Sequence, residues 1–469
     1  MSKKTKADLM ISKLIQEFEH VNSNRTRIQW EEKALLKLIN HYERINNFEK
    51  ALEVIDFALL TFTVKSEFYL HKAQILIALQ KPLAAIDILE QALKNNPQDS
   101  NLILYKAKAF CTMGEFATAL NLIEDIKRSQ HKADDVEILL VEAFIQESMK
   151  DYDQMFYKLQ EALKLNPNNT EALEQIWISV EISKKFEESI RLHKELIDNN
   201  PYSYLAWYNL GHAYSCLGMY QQALEALDYS YLINPHFEQA CMDCAELALQ
   251  ENLFEKALEY FTEASERFGE DSDLSVNIVE CLIKLKRFKE AKSKLHKAIT
   301  QDPYNDELFY YLGECYSEEK NWTKAIKYYK ESLEIDPERE EFHFGIAKVF
   351  EMTGNLRKAE FHYRRASYCG QEQSQYWARY ISFLIKNNLP EKAQKALLKS
   401  DKVSTGADLL YCKAAFHYLQ GDEKKTISIL EEALVDDFPQ RHIFEELAPE
   451  FATGQLYTSM LKYFIAEIK

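Results

Sequence analysis

A small residue recurs along this chain at a nearly constant interval. Ala223, Ala257, Ala291 and Ala325 follow one another at steps of 34 residues. The whole series keeps steps of 33 to 36 residues and consists of Ala51, Ala85, Ala119, Met155, Ser189, Ala223, Ala257, Ala291, Ala325, Ala359, Ala393 and Thr426. A period of this length indicates one supersecondary element per copy, with each copy stacked on the next. The chain is therefore predicted to fold as a linear array.

Each copy is predicted to hold two helices joined by short turns. A bulky residue lies three positions before the small one at Phe48, Phe116, Tyr152, Phe186, Tyr220, Phe254, Phe288 and Trp322. Proline follows the small residue by twelve positions at Pro97, Pro167, Pro201, Pro235, Pro303 and Pro337. Proline cannot donate the next backbone hydrogen bond, so it marks the end of a helix. Only 11 Gly and 10 Pro occur in 469 residues, so most of the length can be helical.

Two copies carry the most complete pattern. The first, YLAWYNLGHAYSCLGMYQQALEALDYSYLINP, contains Trp207, Leu210, Gly211, Tyr214, Gly218, Tyr220, Ala223 and Pro235. The second, ELFYYLGECYSEEKNWTKAIKYYKESLEIDP, contains Phe309, Leu312, Gly313, Tyr316, Trp322, Ala325, Tyr329 and Pro337. Glycine and alanine in these patterns fit a site where two antiparallel helices cross closely.

These residues resemble the consensus of the tetratricopeptide repeat (TPR), and the resemblance extends over residues 32–438. It implies an all-α fold, a right-handed α-solenoid (superhelix) of about twelve TPR helix-turn-helix units with terminal capping helices. The chain looks like the soluble multi-TPR proteins of Bacteroidetes-group bacteria. For such proteins the resemblance implies a binding role.

The array is predicted to follow an N-terminal helix and linker (1–31) and to precede C-terminal capping helices (439–469). The copies are predicted to start near residues 32, 66, 100, 136, 170, 204, 238, 272, 306, 340, 374 and 407. Two additional residues near 128–136 predict a hinge or a change of superhelical pitch there. Trp177 stands where glycine or alanine is expected, which predicts looser packing. A milder irregularity at KSDKVSTGADLL precedes the last copy. In that copy Lys413 occupies a repeat position that is normally apolar; we call a set of equivalent positions in successive copies a column.

Both ends of such an array need a polar cover over their apolar face. An N-terminal stripe that fits this role consists of Ile11, Leu14, Ile15 and Phe18. The corresponding C-terminal stripe consists of Tyr457, Leu461, Phe464, Ile465 and Ile468. Neither polar face is rich in Lys or Arg, so capping is favoured over membrane-surface binding.

The charge balance disfavours nucleic acid as a partner. Asp and Glu number 74 against 57 Lys and Arg, giving a formal net charge of -17. A chain of this sign repels phosphate backbones. No apolar run reaches the roughly 18 to 20 residues of a membrane span, so no membrane insertion is expected. Eight scattered cysteines fit a reducing compartment, and a cytoplasmic location is predicted.

No motif points to catalysis. Cys241 and Cys244 form a CxxC, but no second ligand pair stands nearby in sequence, so buried structural thiols are favoured over a metal or redox site. Phosphate-binding glycine loops and a GxSxG nucleophile motif are absent from the sequence. About thirty residues remain at each end of the array, too few for a catalytic domain. We predict no cofactor, no metal and no enzymatic activity.

The resemblance implies that one stripe of each first helix lines a concave groove. Between residues 204 and 352 this stripe comprises Tyr208, Met242, Val276, Tyr310 and Phe344, with His212, Glu246, Glu280, Glu314 and Lys348 one turn later and Asp273, Glu307 and Glu341 before them. The pattern predicts a partly exposed apolar ladder flanked by carboxylates, suited to a basic amphipathic segment. An alternative is that the apolar residues only pack against the next helix and the acidic faces are merely solvated.

The leading hypothesis is a non-enzymatic protein-interaction scaffold or adaptor that binds a peptide segment or protein in this groove. The alternatives are a helical-repeat RNA-binding protein and a metal-dependent regulator that uses Cys241 and Cys244. A clamp for a partner's C-terminal carboxylate is not expected. Asn40 occupies the required position in the first copy, but Leu36 stands where the clamp needs a basic residue.

Overall fold

The computed structural model describes residues 11–19, 30–128, 134–269 and 271–467. Within these ranges every regular element is a helix, as expected for an all-α solenoid. The chain divides into two compact units, Met1–Cys241 and Met242–Lys469. Each unit is described by itself.

The first compact unit opens with α1 (11–19) and continues with six helix pairs. The pairs are α2 Glu32–Arg44 and α3 Phe48–Thr61; α4 Ser66–Ala78 and α5 Pro82–Asn95; α6 Ser100–Thr112 and α7 Phe116–Arg128; α8 Asp135–Ser148 and α9 Tyr152–Leu165; α10 Thr170–Ser183 and α11 Phe186–Asn199; α12 Tyr204–Cys216 and α13 Tyr220–Ile233. The boundary between the compact units falls inside α14, Glu238–Gln250.

The second compact unit continues the alternation of first and second helices. Its helices are α15 Phe254–Phe268, α16 Ser272–Lys284, α17 Phe288–Gln301, α18 Asp306–Glu318, α19 Trp322–Ile335, α20 Glu340–Met352, α21 Leu356–Cys369, α22 Ser374–Lys386, α23 Pro390–Ser400, α24 Ala407–Leu419 and α25 Glu423–Asp436. A 3-10 helix, Phe438–Arg441, then leads to α26 His442–Leu447, α27 Pro449–Ala452 and α28 Gln455–Glu467.

The small-residue column forms the centre of every helix pair. All twelve members of the series from Ala51 to Thr426 have no exposed surface. At Gly313 a methyl group would lie 2.7 Å from ring atoms of Tyr329, and at Gly211 it would lie 2.7 Å from Leu227. These distances are shorter than van der Waals contact, so the helices of these copies can cross only where no side chain intervenes. The close crossing predicted from the sequence is confirmed.

The turns inside the pairs share one backbone feature. In every copy the residue five positions before the small residue has a positive φ angle: Asn46, Gln80, Gly114, Lys150, Lys184, Gly218, Asn252, Lys286, Lys320, Gly354, Asn388 and Gly421. Several second helices are then capped by Asn or Asp, as where Lys50 N donates to Asn47 Oδ1 at 3.2 Å. Such a cap satisfies a backbone donor that the first turn of a helix leaves unpaired. Turn and cap together fix where the second helix begins.

Within the described residues, amphipathic helices lie at both ends of the array of helix pairs. On α1, Phe18 is buried and meets Trp30 at 5.9 Å and Phe57 at 5.5 Å between ring centroids. On α28, Tyr457 is buried, packs on Phe444 and donates a 3.0 Å hydrogen bond to Glu445. Leu14 and Ile15 join the N-terminal cluster, and Leu461 and Phe464 are half-buried. The side chain of Ile465 and all of Ile468 lie outside the described residues.

The irregular segments differ in what the structure shows. The proposed hinge near 128–136 falls on residues 129–133, which lie outside the described residues, so it stays a prediction. Near Trp177, α10 and α11 approach each other less closely than α12 and α13, as the sequence predicted. At the KSDKVSTGADLL irregularity, α23 is only 11 residues long. The Lys413 ammonium forms an ion pair with the Asp401 carboxylate at 2.8 Å.

A neutral histidine fills the core beside Ser189. The His193 side chain has no exposed surface; its Nδ1 donates to the Ser189 carbonyl oxygen at 2.8 Å. Its Nε2 accepts from the Asn209 side-chain amide at 3.3 Å, and the same amide donates to the Leu173 carbonyl oxygen at 2.8 Å. Burial lowers the pKa of His193 to about 4, because the charged imidazolium would lose its hydration.

The contact between Gly313 and Tyr329 yields a test of the helix crossing. We expect Gly313→Ala to lower the free energy of unfolding by about 1 to 3 kcal/mol, because the methyl group overpacks the site. In a Tyr329→Ala background the cost should fall by more than half, because the ring atoms that the methyl group would meet are then absent. Urea unfolding of the four proteins measures this coupling. Equal cost in both backgrounds contradicts the interpretation.

His193 should make stability pH-dependent. Between pH 7 and pH 4 His193 gains a proton in the unfolded chain, whereas in the folded chain it begins to do so only as the pH approaches 4, so folding weakens as the pH falls. The shift from 6.5 to about 4 corresponds to a loss of about 3 kcal/mol. His193→Leu, which introduces the residue found at the equivalent Leu227, should lose less stability over this range than the wild type. Urea titrations at both pH values measure the difference, and parallel losses would refute it.

Candidate functional site

In the first compact unit, α12 carries two of the predicted groove residues. Tyr208 and His212 are both half-buried, with ring centroids 4.5 Å apart. Tyr208 also meets Phe237 edge-on at 4.8 Å, and His212 meets Trp177 at 5.0 Å. Trp177, which the sequence indicated only as a packing irregularity, therefore adds aromatic surface to this site.

In the second compact unit, the predicted residues on α14 and α16 differ in exposure. Met242 and Glu280 are half-buried, and Glu246 and Asp273 are exposed. Val276 is only 7% exposed, which corrects the expectation of a continuous, partly exposed apolar ladder. The short valine side chain stays among its buried α16 neighbours, whereas the longer tyrosine, methionine and phenylalanine side chains reach the surface.

An aromatic cluster surrounds the ladder residue Tyr310 on α18. Its ring stacks on Phe342 at 5.1 Å with an interplanar angle of 28° and lies 5.3 Å from Tyr311. Phe344 on α20 meets Tyr376 edge-on at 5.3 Å. Tyr310 and Phe344 remain half-buried, so part of each ring packs against the next copy and part faces outward. Both sequence interpretations of this ladder thus describe part of its surface.

Four predicted groove carboxylates affect the pKa values of Tyr310 and Tyr311. Burial raises the pKa of Tyr311, and Glu280, Glu307 and Glu314 raise it further. Burial also raises the pKa of Tyr310, with Glu314 and then Glu341 adding to the effect. A nearby negative charge disfavours a phenolate, so burial and these carboxylates raise the pKa of each phenol in the same direction.

Two contacts restrain these carboxylates. Arg339 donates to Glu307 at 2.7 Å and to Glu341 at 3.3 Å, and its guanidinium lies 5.7 Å from the Phe342 ring. The buried Tyr329 donates its hydroxyl to Glu314. The groove prediction omitted Arg339 because it precedes α20 and so falls outside the helical columns. The sequence signal that could have identified Arg339 is its position between glutamates in the segment PEREE.

The remaining predicted residue, Lys348, is exposed, and its ammonium lies 5.7 Å from the Phe344 ring centroid. It supplies a positive charge at one side of the aromatic cluster. The surface is thus acidic around Tyr310 and mixed in charge around Phe344.

A cleft in the first compact unit was not predicted from the sequence. Side chains of α4, α6 and α8 line a cleft of about 670 Å³, with Leu104 and Val141 at its base and Glu67 and Lys108 on its walls. Burial raises the pKa of Tyr105 to about 12, with smaller contributions from Glu171, Glu137 and Glu43. The prediction was confined to 204–352, where the consensus is strongest, and so did not reach this segment.

The cysteine motif lies inside the protein. Cys241 and Cys244 have no exposed surface. Among the described residues, no three His, Cys, Asp or Glu side chains come together in an arrangement that could hold a metal ion. In the same part of the chain no helix combines the length and apolarity needed to cross a membrane. What the surface offers is aromatic contact area and fixed charge.

Models of the tetratricopeptide repeat match residues 36–100, 76–142, 194–225, 248–293 and 307–339. The chain is 25% identical over 207 residues to tetratricopeptide repeat protein 21A of Mus musculus, covering 43% of this chain and 15% of that protein. It is 23% identical over 216 residues to tetratricopeptide repeat protein 21B of Xenopus laevis, covering 45% and 16%. The chain thus spans a small part of these relatives.

Similar solved structures include yeast Tom70, with a TM-score of 0.45, 15% identity and coverage of 92% of this chain and 98% of that one. A tetratricopeptide repeat protein of Parabacteroides merdae gives a TM-score of 0.40 at 15% identity, with coverage of 52% and 96%. Likenesses this distant transfer nothing about binding. The repeat-model matches coincide with the 34-residue period and the helix pairs, and they support an interaction scaffold in general terms. The chain is therefore a tandem tetratricopeptide-repeat protein.

Proposed function

We propose that this protein is a non-enzymatic scaffold or adaptor that binds a basic amphipathic segment of a protein partner. The binding site is the Tyr310 surface of the second compact unit, defined as Glu280, Glu307, Tyr310, Tyr311, Glu314, Glu341 and Phe344. Tyr208 and His212 are candidate contacts on the first unit's own surface. The observation that carries the proposal is the half-buried Tyr310 ring stacked on Phe342, with Arg339 beside Phe342 and bonded to Glu307 and Glu341.

The chemistry of the Tyr310 surface suits recognition. Tyrosine and phenylalanine supply contact area and are enriched at protein interfaces. Four glutamates offset by Arg339 leave a local formal charge of -3. A negative patch beside apolar rings attracts lysine and arginine side chains and speeds their association. The contact of Arg339 with Glu307 and Glu341 shows that a guanidinium fits between these carboxylates.

The titration of the surface favours binding over catalysis. Burial and the neighbouring carboxylates raise the pKa of both Tyr310 and Tyr311 above the ordinary value. At neutral pH both phenols therefore keep their protons and act as apolar rings with a hydrogen-bond donor, not as nucleophiles or bases.

The cysteines support a reducing compartment, and we propose a bacterial cytoplasm. Burial raises the pKa of Cys281, Cys315 and Cys412 to about 12, so these thiols stay protonated and behave as small apolar groups. Cys241 and Cys244 are equally buried, which gives a metal-dependent role no support. The net negative charge of the chain likewise gives no support to an RNA-binding role, because it repels a phosphate backbone.

A defined probe tests this proposal. The probe is a fluorescein-labelled 18-residue amphipathic helix of Leu, Ala and Lys, read by anisotropy. We expect Tyr310→Leu to weaken binding about tenfold because it removes a central aromatic contact. Glu280→Gln should weaken binding about two- to fivefold and reduce its salt dependence, since one attractive charge is lost.

The matched control is Glu334→Gln on α19, an exposed glutamate on a second helix, which should leave the affinity unchanged. A probe with Glu in place of Lys should bind at least tenfold more weakly. The proposal fails if Tyr310→Leu and Glu334→Gln bind the Lys probe alike, or if the two probes bind equally. Circular dichroism confirms that each variant keeps its helices.

A further inference from the structure

An aromatic residue interrupts a charged column on the second helices. Tyr229 on α13 lies six residues after the small residue of its copy. Nine of the twelve copies carry a charge at this position: Asp125, Glu161, Glu195, Glu263, Lys297, Glu331, Arg365, Lys399 and Glu432. Gln91 and Phe57 occupy the other two. A column that normally faces water thus carries a tyrosine in one interior copy.

The side chain of Tyr229 remains accessible. It is 52% exposed, and Leu232, one turn further along α13, is 64% exposed. The copies on either side carry Asp198 and Glu266 at the position of Leu232. A contiguous exposed apolar patch with a charged rim is typical of an interaction site.

A cleft lies under this patch. It has a volume of about 380 Å³ between α11 and α13, with Leu210 and Tyr214 of α12 among its lining residues. Tyr229 stacks on Trp207 with ring centroids 4.7 Å apart and an interplanar angle of 30°. The Trp207 indole is held in place because its Nε1 donates to the Pro201 carbonyl oxygen at 2.9 Å. The aromatic pair therefore presents a pre-ordered surface.

The rim of the cleft is acidic. Asp198 and Glu225 stand on its two sides, and Gln221 donates to Glu225 at 3.1 Å. The lysine that lines the cleft, Lys194, lies over the Tyr214 ring at 5.6 Å from the centroid. An aromatic face flanked by carboxylates attracts a guanidinium or ammonium group through both the ring and the charge.

Another copy places a cation on an aromatic ring at the equivalent positions. Trp377 takes the place of Trp207, and Tyr368 and Lys399 take the places of Asp198 and Tyr229. There the Lys399 ammonium lies 4.6 Å from the Tyr368 ring centroid, and Tyr368 meets Trp377 at 5.5 Å. A cation on an aromatic ring is thus an arrangement that this repeat already builds at this position.

The first copy shows what can cover an aromatic residue in the Tyr229 column. Phe57 stands there, and Phe18 of the amphipathic helix α1 packs edge-on against it at 5.5 Å. We infer that the Tyr229 cleft, defined as Asp198, Trp207, Glu225, Tyr229 and Leu232, is a second docking surface. Its occupant is a helix of a partner protein that presents an arginine or lysine beside apolar residues. This surface is formed by α11, α12 and α13 of the first compact unit and shares no residue with the Tyr310 surface.

Fluorine NMR with 5-fluorotryptophan provides a site-specific test. The chain has five tryptophans, and Trp207→Phe identifies the resonance of Trp207. The probe is an 18-residue amphipathic helix of Leu, Ala and Arg, with a matched peptide in which Glu replaces Arg. We expect the Arg probe to shift the Trp207 resonance saturably while the Trp322 resonance stays in place. The Glu peptide should leave both resonances unchanged.

The repeat itself supplies the disruptive substitutions. Tyr229→Glu introduces the glutamate that the neighbouring copies carry at Glu195 and Glu263. Leu232→Asp introduces the aspartate that the preceding copy carries at Asp198. Both substitutions are therefore compatible with an exposed second helix. Each should weaken the probe affinity reported by Trp207 at least tenfold. Tyr304→Glu, at an 82% exposed tyrosine in the second compact unit, is the control and should leave this affinity unchanged.

Three results would overturn the inference: no shift of Trp207, an equal shift with the Glu peptide, or an affinity unchanged by Tyr229→Glu and Leu232→Asp. Tyr310→Leu separates the two surfaces. The Trp207 shift should persist in that variant even if the Tyr310 surface binds nothing. Loss of the shift in Tyr310→Leu would show that Trp207 reports binding elsewhere and would also overturn the inference.

Discussion

The close crossing of the two helices in each copy is the constraint on which the rest of this structure depends. Backbones approach where a small residue is buried, and longer side chains must fill the space beside the contact. Tyr329 shows the result, because added methyl groups on Gly313 and Gly345 would both collide with its ring. Its hydroxyl donates a hydrogen bond to the half-buried Glu314. Core packing in this copy thus orients a carboxylate of the candidate site.

The two helices of a copy have different relations to solvent. First helices of the second compact unit bring acidic and aromatic side chains together around Tyr310, whereas second helices mostly present a charged column. Net charge alone does not distinguish these faces, since a chain of charge -17 is acidic over much of its surface. Aromatic residues distinguish them, because a half-exposed ring beside a carboxylate offers contact area and charge at one place. Tyr310 and Tyr229 both meet this condition, on different helices.

The repeat positions that predicted the groove carboxylates did not predict their pairing. Glu280, Glu307, Glu314 and Glu341 each raise the pKa of Tyr310, Tyr311 or both, and their gathering into one binding surface stays a proposal. Arg339 escaped the prediction because a residue before the helix follows no helical period. Sequence alone also could not show the burial of Val276, because the exposure of a side chain depends on its neighbours' lengths as well as its column.

The sequence by itself determined the period, the helix pairs and the small residue at each crossing. These follow from spacing along one chain and from the size of single side chains. Only the tertiary structure decided that Lys150, Lys184, Lys286 and Lys320 adopt the left-handed conformation that Gly218 suggests for its own copy. It also decided that His193 is neutral. In both cases the reason is that residues distant in sequence fix the local environment: packing of paired helices imposes the turn geometry, and exclusion of water sets the pKa.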